Sequence, residues 1–177
     1  MTPRKTIEVP ATSWGTNLDD HVFYTIGRII RCWANIEFTI DTSISDLISR
    51  PDTPDIPRSL LRPFTQRKDL LKQLLVYTVS DQNILKKLHT LVDRIAGMQH
   101  FRDFAAHGML ITDSRRPDTH LYMSRIIWSD PPRTTRTYLK KERLFRIEQS
   151  LADCFMALFM ATAGCHEPSW QPYLELA

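Results

Sequence analysis

DDHVFYTIGRIIRCWANIEFTIDTSISDLISR, residues 19–50, places an apolar side chain at every third or fourth position. Val22, Ile26, Ile29, Trp33, Ile36, Ile40, Ile44 and Leu47 therefore fall on one side of a helix with 3.6 residues per turn. Asn17 stands where an N-cap belongs, and Pro51, Pro54 and Pro57 stop the pattern near Arg50. A helix of roughly thirty residues is about 45 Å long at a rise of 1.5 Å per residue. One partner cannot cover so long a stripe. It needs several helices, or a second subunit.

The neighbouring segments supply those helices. Pro57 serves as the first residue of a second helix, which buries Leu60, Leu61, Phe64, Leu71, Leu74 and Leu75. Ser80 or Asp81 caps a third, with Ile84, Leu88, Leu91, Val92, Ile95 and Met98 as its inner edge. That helix continues through Phe101, Phe104 and Ala105 to Gly108, a natural terminator. Beyond Gly108 the period changes. Met109 to Thr112, Leu121 to Trp128 and Thr134 to Leu139 carry β-branched and aromatic residues, separated by Ser114-Arg115-Arg116-Pro117-Asp118 and by Pro131-Pro132. They read as a two- or three-stranded antiparallel hairpin. Helical spacing resumes at Leu144, Ile147, Leu151, Cys154, Phe155, Leu158 and Phe159 and ends at Gly164. The expected fold is mainly α: one domain over residues 1–177, a bundle of four main helices with a small antiparallel β-hairpin (109–140) inserted before the last helix. Residues 1–17 read as an irregular arm, and residues 165–177 as a tail against the body.

The chain is 42% hydrophobic, enough for a real core, and its five Gly argue against a turn-dense β architecture. Its net charge of +3 by itself predicts no polyanion partner. The distribution is more telling. From Arg115 to Arg146 there are nine Lys or Arg against three acids, a local +6 that leaves −3 for the rest. A phosphate-bearing partner can use such a block, and a solvated basic hairpin has the same composition. Cys32, Cys154 and Cys165 are odd in number and unpaired in spacing, so no disulfide framework is expected. Cys165-His166-Glu167 lacks a second ligand cluster, so no metal site is expected. Met1 to Trp14 has no apolar stretch of signal-peptide type, and the apolar run Phe155 to Cys165 is about half a bilayer span. These features point to the reducing cytoplasm and away from a membrane. The chain carries no Gly-rich phosphate loop, no His-Glu-x-x-His helix and no nucleophile elbow, and no cofactor is called for.

One constellation carries chemistry. Arg102-Asp103-Phe104-Ala105-Ala106-His107-Gly108 closes the third helix. Asp103 and His107 are four apart on one face, so a carboxylate can fix the imidazole tautomer and leave the other nitrogen for proton transfer. Arg102 lies about 140° around the helix from His107 and must reach back. The spacing alone is unspecific, since Arg115 and His120 repeat it across Pro117 in a turn. It also fits a surface Arg102–Asp103 ion pair with His107 as a C-terminal capping side chain. Glu37 interrupts the apolar side of the first helix; it reads as a buried acid or as a solvated edge position, the latter being the plainer expectation.

Phe101 to Gly108 resembles the signature of the HEPN superfamily, in which Arg is followed by a polar residue and, a few positions on, by His. Gly27-Arg28-Ile29-Ile30-Arg31-Cys32-Trp33-Ala34-Asn35-Ile36-Glu37 likewise resembles the opening helix of bacterial HEPN-like proteins. The likeness runs from about Gly27 to Ala163. It implies a helical bundle that dimerises so that two motifs face one cleft. It also implies a metal-independent endoribonuclease, a hydrolase of RNA, of the kind found as toxins with a protein antitoxin or in phage defence. His107 would then transfer protons, Arg102 hold the phosphate and Asp103 orient. His100 would line the cleft, and Arg115, Arg116 and Arg125 would guide the RNA backbone. One His cannot be base and acid at once, whereas two copies can, so a homodimer is part of the expectation. The same resemblance accommodates a second class, a non-catalytic HEPN-like dimer that binds a protein or nucleotide as a regulatory module.

Overall fold

In the computed structural model, residues 20–51, 63–112, 116, 119–127, 130–164 and 167–176 are described. The arm with its Asn17 cap, the second-helix start at Pro57 with Leu60 and Leu61, and Cys165-His166 lie outside them. The long amphipathic segment is one helix, α1 (Asp20–Ile48). Val22, Ile29, Ile36, Ile40 and Ile44 are buried along its full length. Each such side chain contributes about 1.5–3 kcal/mol on leaving water. Thr25, Thr39 and Ser43 are buried on the same side. Each hydroxyl donates to the carbonyl four residues back (His21, Asn35 and Thr39), so no polar group is stranded.

The stripe is covered by α2 (Phe64–Thr78) and α5 (Lys141–Thr162), with α3 (Gln82–Gly97) and α4 (Gln99–His107) completing the layer. Leu71 and Leu74 of α2, Leu91 and Ile95 of α3, and Leu144, Leu151 and Leu158 of α5 meet the α1 isoleucines in one hydrophobic cluster. Arg28 of α1 pairs with Glu148 of α5 at 2.8 Å, and Lys72 of α2 with Asp93 of α3 at 2.7 Å. Asp81, one of the two expected caps, starts α3: its carboxylate accepts from the backbone N–H groups of Asn83 and Ile84.

Two features depart from the expected helices, while Gly108 ends its helix as expected. The third helix is not continuous: Gly97 and Met98 divide it into α3 and α4. Met98 sits near φ −92°, ψ −3°, and its N–H bonds back to Ile95, a tight three-residue closure that Gly favours by weakening the helix there. Gly108 ends α4 in extended backbone (φ −91°, ψ 158°) that passes straight into a strand, so it is not a left-handed cap. The tail contains a helix, α6 (Glu167–Leu176), so that α5 is not the last among the described residues. Trp170 of α6 is buried, and Lys87 of α3 pairs with Glu167 while Arg94 donates to the Leu174 carbonyl at 3.1 Å.

Between α4 and α5 lies a three-stranded antiparallel sheet, β1 (Met109–Thr112), β2 (His120–Ile127) and β3 (Arg133–Lys140), in the order β1-β2-β3. The register sets Thr112 against Leu121 and Leu121 against Leu139. Leu121 and Leu139 are buried against the helices with Leu110 beside them, which assigns the opposite, outer face to Tyr122 and its partner Tyr138. No helix of the described residues is long and apolar enough to cross a membrane.

Candidate functional site

Helix α4 is short, and two buried phenylalanines fix its rotation. Phe101 and Phe104 turn inward, leaving Arg102 and Asp103 half-buried and His107 exposed in the last turn. Arg102 does not stand alone. Its Nη1 donates to Asp103 Oδ1 at 3.0 Å and its Nη2 to Glu37 Oε1 at 2.8 Å, while its guanidinium lies 5.5 Å from the Trp33 ring centroid.

Glu37 is therefore not a solvated edge residue. Its Oε1 also accepts from Trp33 Nε1 at 2.8 Å and faces Arg67 Nη2 at 3.3 Å. Arg67 comes from α2, is 9% exposed, and gives Nη1 to Asp41 Oδ2 at 2.8 Å; its Nε is buried with no hydrogen-bond partner among the described residues. Burial pushes the Glu37 carboxyl upward, but the hydrogen bonds from Trp33 and Arg102 and the nearby Arg67 charge outweigh it. The carboxyl is held below its ordinary value of 4.5. The sequence signal for this hub is two opposite charges set into apolar stripes, Glu37 between Ile36 and Ile40, and Arg67 between Phe64 and Leu71. Each looks like an exception until the other is placed beside it.

The remaining expected site residues spread from this point. The Asp103 carboxylate accepts from Arg102. His100, exposed at the start of α4, meets Phe101 at a tilt of 41° with ring centroids 3.8 Å apart and donates from Nδ1 to the Gly97 carbonyl at 2.9 Å. Arg102, half-buried, and His107, exposed, are five residues apart on α4. Arg116 is exposed beside the start of β2, where its carbonyl accepts from His120 N–H at 3.0 Å. Arg125 lies in β2 opposite Thr135; its side chain, and all of Arg115, lie outside the described residues.

The basic block also forms a cleft. Lys140, Arg143 and Arg146, with Glu142, Met98, Ile147 and Ser150, line about 570 Å³ of open space between the α3–α4 junction and the first turns of α5. Arg146 pairs with Glu142, and the Arg143 guanidinium lies 6.0 Å from the Phe101 ring. Cations thus continue from the start of α4 to the sheet. Phosphate oxygens are the ligands such an array suits.

No protein-family model matches the chain, and it has no detectable similarity to a curated protein or to a solved structure. What the fold and site define is a helical bundle with an inserted sheet, an Arg–Glu hub joining α1, α2 and α4, and a cleft lined by Lys140, Arg143 and Arg146.

Proposed function

We propose that this chain is a HEPN-type, metal-independent endoribonuclease that acts as a cytoplasmic homodimer, serving as a toxin held by a protein antitoxin or as a defence component. One observation carries the reading. The guanidinium of Arg102 is oriented by Glu37 of α1 and by its neighbour Asp103, on the short helix α4 that ends in the exposed His107 and whose start, at Met98, lines the cleft of Lys140, Arg143 and Arg146. In this mechanism one imidazole takes the proton of a ribose 2′-hydroxyl. The 2′-oxygen attacks the adjacent phosphorus, the P–O5′ bond breaks, and the second subunit's imidazole protonates the leaving 5′-oxygen. Arg102 stabilises charge on the phosphorane. A 2′,3′-cyclic phosphate and a 5′-hydroxyl are the products.

Support for the dimer comes from α1. Phe23, Ile30 and Phe38 are 52%, 41% and 69% exposed, with Gly27 and Ala34 exposed between them. This apolar stripe, thinned by two small residues, borders Glu37 and suits a second copy of α1.

The test is incubation of purified protein with RNA in EDTA, beside His107→Ala and Arg102→Ala. Cleavage by the parent alone is expected. No cleavage of varied RNAs, or equal cleavage by all three proteins, rejects the proposal. The second reading, a HEPN-like regulatory module that binds a protein or nucleotide without catalysis, has one observation in its favour. Arg102 already gives one N–H of each Nη group to a carboxylate, and those two negative charges offset the positive charge it can offer a phosphate.

A further inference from the structure

The outer face of the sheet carries a feature that the α4 site does not use. Tyr138, third from the end of β3, is 63% exposed, an unusual position for so large a ring. Its register partner Tyr122 meets it edge-on, with ring centroids 4.2 Å apart. Such a contact props the Tyr138 ring and restricts its rotation. On the same face Ile126 and Met109 are 53% and 42% exposed. Lys140, two residues beyond Tyr138 and exposed, lies on the same face, and Arg116 is exposed beside β2. The strand RTTRTYLK itself contains no acid; Arg133 belongs to the Leu139 face, and the exposed acids nearest in sequence are Asp130 and Glu142.

An aromatic pair with a cation on its own face is complementary to a polyanion that also offers flat π faces. A duplex hides those faces inside its stack; a single strand presents them. We infer that the outer face of the sheet, centred on Tyr138, is a stacking platform for single-stranded RNA. The inference rests on RNA being the substrate of the neighbouring α4 site. The location fits that reading. Met109 follows His107 by two residues and pairs with Ser124, two residues from Tyr122. From the strand spacings, the tyrosine pair begins about 8 Å from Met109. A base stacked on Tyr138 thus anchors the strand a nucleotide or two from the end of α4.

Fluorescence anisotropy with a labelled 2′-O-methyl octa-adenylate, which lacks the attacking hydroxyl, measures the platform on the full-length parent. Tyr138→Leu keeps apolar bulk without a ring and is expected to weaken binding about tenfold, the loss of one stacked base. Tyr138→Phe keeps the ring and is expected to stay within about twofold of the parent. A blunt duplex of equal length is expected to bind at least tenfold more weakly than the single strand. Parental affinity in Tyr138→Leu, or equal binding of duplex and single strand, overturns the platform. If those proteins still cut RNA in EDTA through His107, the nuclease reading stands without it. Tyr138-dependent binding with no cleavage supports the platform and removes the nuclease. A parent that binds no RNA removes both.

Discussion

Glu37 gathers the Trp33 indole and the Arg67 and Arg102 guanidiniums onto one carboxylate oxygen. Replacing it with Ala leaves Arg67, nine-tenths buried, short of a partner. The expected loss is about 2–3 kcal/mol, read by urea denaturation. The pH dependence has a definite sign. A carboxyl depressed in the folded state adds stability above its unfolded value and loses it as pH falls through the folded value. The melting-temperature gap between parent and Glu37→Gln is therefore expected to be full above pH 4.5 and to narrow below it. A gap that widens on acidification contradicts the hub. A second residue-scale outcome concerns Cys154, whose thiol burial raises to about 11. Iodoacetamide at pH 8, mapped by mass spectrometry, is expected to modify Cys154 only after unfolding. At this scale the Arg102–Asp103 contact was legible because the two residues are adjacent in sequence. Glu37 was not, because its meaning depends on Arg67, thirty residues away on another helix.

Among the elements, α1 and the three strands were legible from their periods. The α3–α4 division was not, because the apolar spacing runs unbroken across Gly97 while the backbone does not. Helix α6 was hidden by Pro168 and Pro172, which read as irregular chain; burial of Trp170 and the Lys87–Glu167 and Arg94–Leu174 ties hold it in helical form. Trp170→Ala is expected to cost about 3–5 kcal/mol and to free α6, seen as loss of amide protection there before the bundle exchanges. Gly108 matters for a different reason. A Cβ at this position would lie 2.4 Å from the Phe104 carbonyl oxygen, so the junction of α4 and β1 admits no side chain. Gly108→Ala is expected to destabilise by about 1–3 kcal/mol in thermal denaturation. Stability equal to the parent would mean that the junction yields.

At the scale of the whole molecule the open question is assembly. Phe38 is 69% exposed on the apolar stripe of α1, so Phe38→Asp is expected to change folding stability by no more than about 0.5 kcal/mol while converting a dimer to monomer. Sedimentation velocity reads the mass. A parent that sediments as a monomer, or a variant that remains dimeric, removes this interface. The bundle was legible from its stripes, whereas no single stripe says which exposed face a second chain would take.

The sheet also has an odd number of strands, and that has a practical consequence for trimming the molecule. An even number would return the polypeptide near its point of departure. Three strands carry it across two neighbours and along by the distance from the Met109–Ser124 level to the Lys140–His120 level. Those offsets separate Met109 from Lys140 by about 16 Å, a gap that takes about five extended residues to span. A tight reverse turn cannot replace residues 109–140 without dragging α5 along the bundle. The sheet is a strut that sets the axial position of the fifth helix.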